Sequence, residues 1–86
     1  MSDGMGVGSA LLDALIAACT QRGFRQMIAV IGDGTGASLG SRRLHERAGF
    51  RLIGVAEKVG YKHGRWLDQM LMQKELGEGD RAPPAF

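Results

Sequence analysis

The sequence predicts an α+β fold, α/β-like in layout, in the order helix, strand, helix, β-hairpin, with two helices on a small mixed sheet. Three observations carry this prediction. From Val7 to Arg22, apolar residues recur at Leu11, Leu15, Ala18 and Cys19, with Leu12 and Ile16 widening a helical stripe. Gln26–Ile31 is a short, largely apolar run closed by Gly32-Asp33-Gly34, the pattern of a buried central strand. Leu52–Val59 and Arg65–Glu75 carry β-branched and aromatic residues and flank a turn at Gly60-Tyr61-Lys62-His63-Gly64.

Each element has its own boundary signals. Asp3-Gly4-Met5-Gly6-Val7-Gly8 is a glycine-rich turn that runs directly into the first helix, and Gly23 after Arg22 is a left-handed helix stop. A helix followed by a strand is the second half of a βαβ unit. Residues 32–36 read as a loop, and Ser38 or Ser41 caps a second helix that reaches Ala48 with Leu44 and Ala48 on its inner side. Gly49-Phe50 has the form of a Schellman stop, in which the Phe folds back on the helix it ends. Residues 1–76 form the folded unit. The Gly-, Pro- and charge-rich stretch 77–86 is expected to be disordered.

Composition excludes several classes. The chain has 86 residues, 44% hydrophobic and 23% charged, which suits one small globular domain or part of a larger one. The lone cysteine, Cys19, has no internal partner and reads as a small buried hydrophobe, so a cytoplasmic setting is expected. No apolar stretch matches a bilayer span, so no membrane partner is expected. A net charge of +2 is too weak to argue for nucleic acid, and the aromatic residues do not interleave with the charges. Arg42 and Arg43, and the group Lys58, Lys62, His63 and Arg65, suit either a phosphorylated ligand or a solvated surface. Two distant histidines and one cysteine offer no metal-ligand spacing.

The glycine-rich start points to chemistry. Glycines let the backbone approach a pyrophosphate, the first helix amides are open donors, and the helix dipole favours negative charge there. Gly6 and Gly8, the strand Ile28–Ile31 and Leu44-His45-Glu46-Arg47-Ala48-Gly49-Phe50 together resemble the C-terminal half of the GNAT N-acetyltransferase superfamily. Ala29-Val30-Ile31-Gly32-Asp33, Leu44-His45-Glu46 and Tyr61-Lys62-His63-Gly64-Arg65-Trp66-Leu67-Asp68 look like its phosphinothricin N-acetyltransferase branch. The likeness runs from about Asp3 to Leu76, so residues 1–76 would be a partial GNAT fold.

The resemblance implies acetyl-CoA as co-substrate and the amine of a small molecule as acceptor. It assigns Gly4, Met5, Gly6, Val7 and Gly8 to the pyrophosphate turn, with Asp3 where the family carries a basic or amide residue. A carboxylate there opposes phosphate by about 1 kcal/mol in a solvated site, and an Asp at this place is also a helix cap. Ser38 falls where the family often has an asparagine, and both it and Ser41 would meet the pantetheine arm; Ser38 serves equally as a cap. His45 stands four residues before Gly49, where many GNAT enzymes place the tyrosine that protonates the departing thiolate. A histidine, with an unperturbed pKa of about 6.5, suits that role near neutral pH; the alternative is a histidine that only hydrogen-bonds in helix packing. Lys62, Arg65 and Asp68 shape the hairpin and a dimer surface in this view, and Trp66, Met70 and Met72 share one packed face of the last strand.

A complete GNAT domain is about twice this long, and the strand that would lead into the glycine turn is absent from the sequence. Ile28–Ile31 would then offer an unpaired edge. The expectation is a homo-oligomer, a complementing chain, or derivation from a longer parent. Two classes stay open: an N-acetyltransferase completed by a partner, and a non-catalytic CoA-binding or interaction module.

Overall fold

The glycine-rich start is helical from its first described residue. The computed structural model describes residues 4–32 and 36–83, and places α1 at Gly4–Gln21, β1 at Gln26–Ile31, α2 at Gly36–Arg47, β2 at Arg51–Lys62 and β3 at Arg65–Glu75. The predicted element order holds. Gly4 to Gly8 are the opening turns of α1 rather than a turn ahead of it, and Ser38 and Ser41 lie inside α2 rather than at its cap.

The three strands form one sheet in the order β1-β3-β2. Both ladders are antiparallel, with Ala29 opposite Met72 in one and Leu52 opposite Met72 in the other. The expected mixed sheet therefore appears as an antiparallel one among the described residues, and the central position belongs to β3. β1 lies at the edge because the hairpin folds β3 back between β1 and β2. The alternation of β1 turns Met27, Ala29 and Ile31 inward and leaves Ile28 and Val30 each 59% exposed.

The core lies under the helices. Ile31, Phe50, Met70 and Met72 are buried together, with Leu12, Ile16, Met27, Ala29 and Ala48 packed against them. Leu12 and Ile16 thus form the inner face of α1, while Leu11 and Leu15 are exposed, which corrects the predicted stripe. The helix is apolar on both sides, and a pattern with two apolar faces does not choose between them.

Both helices end at a positive-φ glycine, Gly23 (φ 91) and Gly49 (φ 98), as their stop signals predict. The hairpin turn is tighter than the sequence suggests. Gly60, Tyr61 and Lys62 remain in β2, Lys62 pairs with Arg65, and only His63 (φ 54) and Gly64 (φ 77) cross between strands. Two consecutive positive φ values are what a type I′ turn requires. Tyr61 and Trp66 face each other across the ladder with centroids 5.1 Å apart. Trp66 therefore stands exposed beyond the core that holds Met70 and Met72. Two irregularities break the β2–β3 register, between Leu52 and Gly54 and between Ala56 and Gly60. At the second, Lys58 takes φ 54 and donates its N–H to Asp68 Oδ1 at 2.8 Å.

The stretch that composition marks for disorder is folded back through residue 83. Leu76 is buried, and Arg25 holds the carbonyls of Gly79, Ala82 and Pro83. Among the described residues, no helix is long and apolar enough to cross a membrane.

Candidate active site

Helix geometry explains why residues 4–8 suit an anion. The first turn of a helix has N–H groups with no carbonyl four residues back, and the dipole makes that end positive. α1 opens at Gly4, so Gly4, Met5, Gly6 and Val7 supply this turn. Gly8 has a packing reason to be small: a Cβ there would lie 3.4 Å from Leu44 Cδ2, so α1 approaches α2 closely at this point. The contact sets the amide end of α1 beside the helix that carries Ser41 and His45.

His45 is held from three directions. Its Nδ1 lies 2.8 Å from the Ser41 carbonyl oxygen, which only accepts, so Nδ1 carries the hydrogen and donates it. Its own carbonyl accepts the N–H of Phe50 at 3.0 Å, the longer-range bond of the Schellman stop. The Phe50 ring meets the imidazole edge to face, with centroids 5.1 Å apart at 77°. Phe50 is 4% exposed, so the ring that orients His45 belongs to the core. With the hydrogen on Nδ1, the neutral ring leaves Nε2 as an acceptor. This histidine does hydrogen-bond within its helix, and that bond is also what aims its second nitrogen.

The structure thus brings Gly8, Ser41 and His45 to one helix pair. Ser41 contributes its backbone carbonyl, a role that reading the sequence for hydroxyl contacts did not suggest. Phe50 was missed as an orienting group, although the spacing of His45 to Phe50 across a glycine stop is the signal for such a contact. Asp3 lies outside the described residues, and so do the side chains of Met5, Val7 and Ser38. His63 sits in the two-residue turn between β2 and β3. Cys19 is a half-exposed free thiol on α1.

The sequence pattern of the Acetyltransferase (GNAT) family matches residues 3–50, the segment holding both helices, β1 and the Gly-Phe stop. The chain is 50% identical over 82 residues to the phosphinothricin N-acetyltransferase of Alcaligenes faecalis, a match spanning 94% of this chain and 40% of that protein. It is 44% identical over 80 residues to the L-methionine sulfoximine/L-methionine sulfone acetyltransferase of Pseudomonas aeruginosa, covering 93% of this chain and 45% of the other. Among solved structures, a GNAT superfamily phosphinothricin acetyltransferase from Sinorhizobium meliloti in complex with AcCoA matches with a TM-score of 0.84 and 50% identity. That match covers 95% of this chain and 43% of that one. The chain therefore spans less than half the length of these relatives. On the match across residues 3–50, this chain belongs to the GNAT acetyltransferase family.

Proposed function

We propose that this chain is the acetyl-CoA-binding half of an N-acetyltransferase that acts on the amine of a small, amino-acid-like molecule. The observation that carries this reading is the likeness of 95% of the chain, at 50% identity, to a phosphinothricin acetyltransferase solved with AcCoA. Relatives named for phosphinothricin and for L-methionine sulfoximine support an amino-acid analogue as the acceptor. The single cysteine supports a cytoplasmic setting.

In such a transfer the amine nitrogen attacks the thioester carbonyl, a C–N bond forms, and the C–S bond breaks with its electron pair on sulfur. The amine sheds a proton and the thiolate takes one up. In this reading the amides of Gly4, Met5, Gly6, Val7 and Gly8 and the positive end of α1 hold the pyrophosphate. Ser38 and Ser41 border the pantetheine arm. Asp3 adjoins the phosphates and weakens binding, so Asp3→Gln tightens acetyl-CoA about fivefold, the factor that about 1 kcal/mol of removed repulsion gives. Calorimetric titration of the two proteins side by side measures this.

His45 delivers the proton to sulfur. Because Nδ1–H is spent on the Ser41 carbonyl, the proton comes from Nε2, and the donating form is the imidazolium. The base that takes the amine proton is supplied by the complementing half. That half pairs along β1, whose open edge, with exposed Ile28 and Val30, and the outer face of α1, with exposed Leu11 and Leu15, are apolar. A longer parent chain, a second copy or a separate polypeptide would supply this half.

The test begins with calorimetry of the purified chain against acetyl-CoA, with solution mass measured in parallel. Micromolar binding is expected, together with a mass above that of one chain or an increase on adding the N-terminal half of a relative. In the complemented assembly, His45→Ala lowers kcat about a hundredfold and leaves acetyl-CoA affinity unchanged. A folded, complemented assembly that binds no acetyl-CoA overturns the proposal.

A further inference from the structure

The corner between α1 and β1 carries a built contact that the transfer chemistry does not use. Arg25 Nη1 donates to the carbonyl oxygens of Gly79 (2.9 Å) and Ala82 (2.8 Å), and Nη2 donates to that of Pro83 (2.9 Å). Glu78 adds a carboxylate oxygen 3.8 Å from Nη2. Three carbonyls from separate residues converge on one planar cation whose side chain is only 20% exposed. A guanidinium suits this arrangement because its N–H groups form a rigid fork, whereas an ammonium is a compact point donor.

The segment that meets this fork is itself folded. Leu76, 1% exposed, donates its N–H to the Arg25 carbonyl at 2.9 Å, so Arg25 grips both ends of the turn that follows. Inside it, Gly79 N–H reaches Leu76 O at 2.9 Å and Arg81 N–H reaches Glu78 O at 3.0 Å. The Arg81 guanidinium bonds Glu75 Oε2 at 3.0 Å and the Gly77 carbonyl at 2.9 Å. A cleft of about 630 Å³ remains between this segment and Phe24 and Gln26. The cleft is open to solvent, Gly79 is buried against Glu75, and these polar contacts hold the segment down.

We propose that residues 77–83 are a strap closed over the α1–β1 corner, and that the Arg25 fork is its latch. Without the fork the three carbonyls return to water, apolar contact is too sparse to hold the strap, and residues 77–83 open as a unit. The rest of the fold stays closed, because the core of Ile31, Phe50, Met70 and Met72 does not include the strap.

Trypsin reads this directly, since Arg81 lies within the strap. In the 86-residue chain, cleavage after Arg81 is expected to be slow and to quicken at least about tenfold in Arg25→Ala, because native proteolysis follows the open population. Arg25→Lys, which keeps the charge and loses the fork, is expected to cleave nearly as fast. Methylguanidinium at millimolar concentration is expected to restore hydrogen-exchange protection at Gly79 and Arg81 in Arg25→Ala by refilling the space. Equal rates in the parent and Arg25→Ala, or full protection in Arg25→Lys, overturn the proposal. Hydrogen exchange in the unaltered chain supplies a check that depends on no variant. The amides of Gly79 and Arg81 should be protected, and exchange at unstructured-peptide rates refutes a closed strap.

Discussion

The two helices end in the same dipeptide, and the comparison separates local from tertiary information. Gly23-Phe24 closes α1 and Gly49-Phe50 closes α2. At the first, Gly23 N–H bonds Thr20 O and Phe24 N–H bonds Cys19 O; at the second, Gly49 N–H bonds Glu46 O and Phe50 N–H bonds His45 O. The bond pattern and the left-handed glycine are identical. The fates of the rings are opposite: Phe24 is 51% exposed and Phe50 is 4% exposed. A Schellman stop dictates how the chain turns, and what lies on top decides whether the following side chain is core. Phe50 folds against His45 and joins Met70 and Met72. Phe24 stays half exposed, and its corner is bound one residue later by Arg25.

The largest difference is expected from emptying the two ring positions. Phe50→Ala removes a core aromatic and should destabilise the chain by about 3–5 kcal/mol, a large part of the few kcal/mol typical of a small domain. Phe24→Ala, at a half-exposed ring, should cost clearly less, about 1 kcal/mol. Urea unfolding of both variants measures the pair, and equal losses would break the comparison.

The glycines give a smaller contrast. Gly23→Ala forces a side chain into the left-handed region and should cost about 1–2 kcal/mol. Gly49→Ala carries the same strain, and its Cβ would also sit 2.6 Å from Lys74 Nζ, so it should cost more. Shortening Lys74 to Ala in the Gly49→Ala background should remove only the excess. A double-mutant cycle with no coupling between the two positions would show that Lys74 simply swings away.

These corners also mark how far the sequence could be read. Helix stops, the limits of β1 and the inward turn of Phe50 were legible, because each depends on contacts within a few residues. The inner face of α1 was not, since Leu11-Leu15 and Leu12-Ile16 are equally apolar and only the sheet below chooses between them. Nor was the one-sided exposure of β1, because its continuous apolar run suits burial on both faces, yet Ile28 and Val30 are exposed; its unpaired edge was expected only through the family resemblance. The folded stretch 77–83 escaped notice because its polar composition predicts disorder, while its order comes from Arg25, more than fifty residues away in sequence. At the candidate site, the helix that starts at Gly4 and the Gly49-Phe50 stop beside His45 were legible as local structure. The Ser41 carbonyl was not, since a backbone acceptor has no residue-type signature.

Another left-handed residue, one with a side chain, sharpens the lesson at the smallest expected effect. Lys58 adopts φ 54 with a Cβ present, in the β2 irregularity, so glycine is not what makes that turn feasible. Its N–H is taken by the Asp68 carboxylate at 2.8 Å, across the ladder and exposed to solvent. A tertiary hydrogen bond here does what the missing Cβ does at Gly23 and Gly49. Asp68→Ala should therefore cost about 1 kcal/mol, the net worth of one such bond, and loosen the strands beyond Ala56. Asp68→Asn retains an acceptor oxygen and should stay within about 0.5 kcal/mol of the parent. If Asn fails as badly as Ala, the charge and not the hydrogen bond holds Lys58. The conformation would then rest on electrostatics that salt weakens, and unfolding in 1 M salt would erase the difference between the parent and Asp68→Ala.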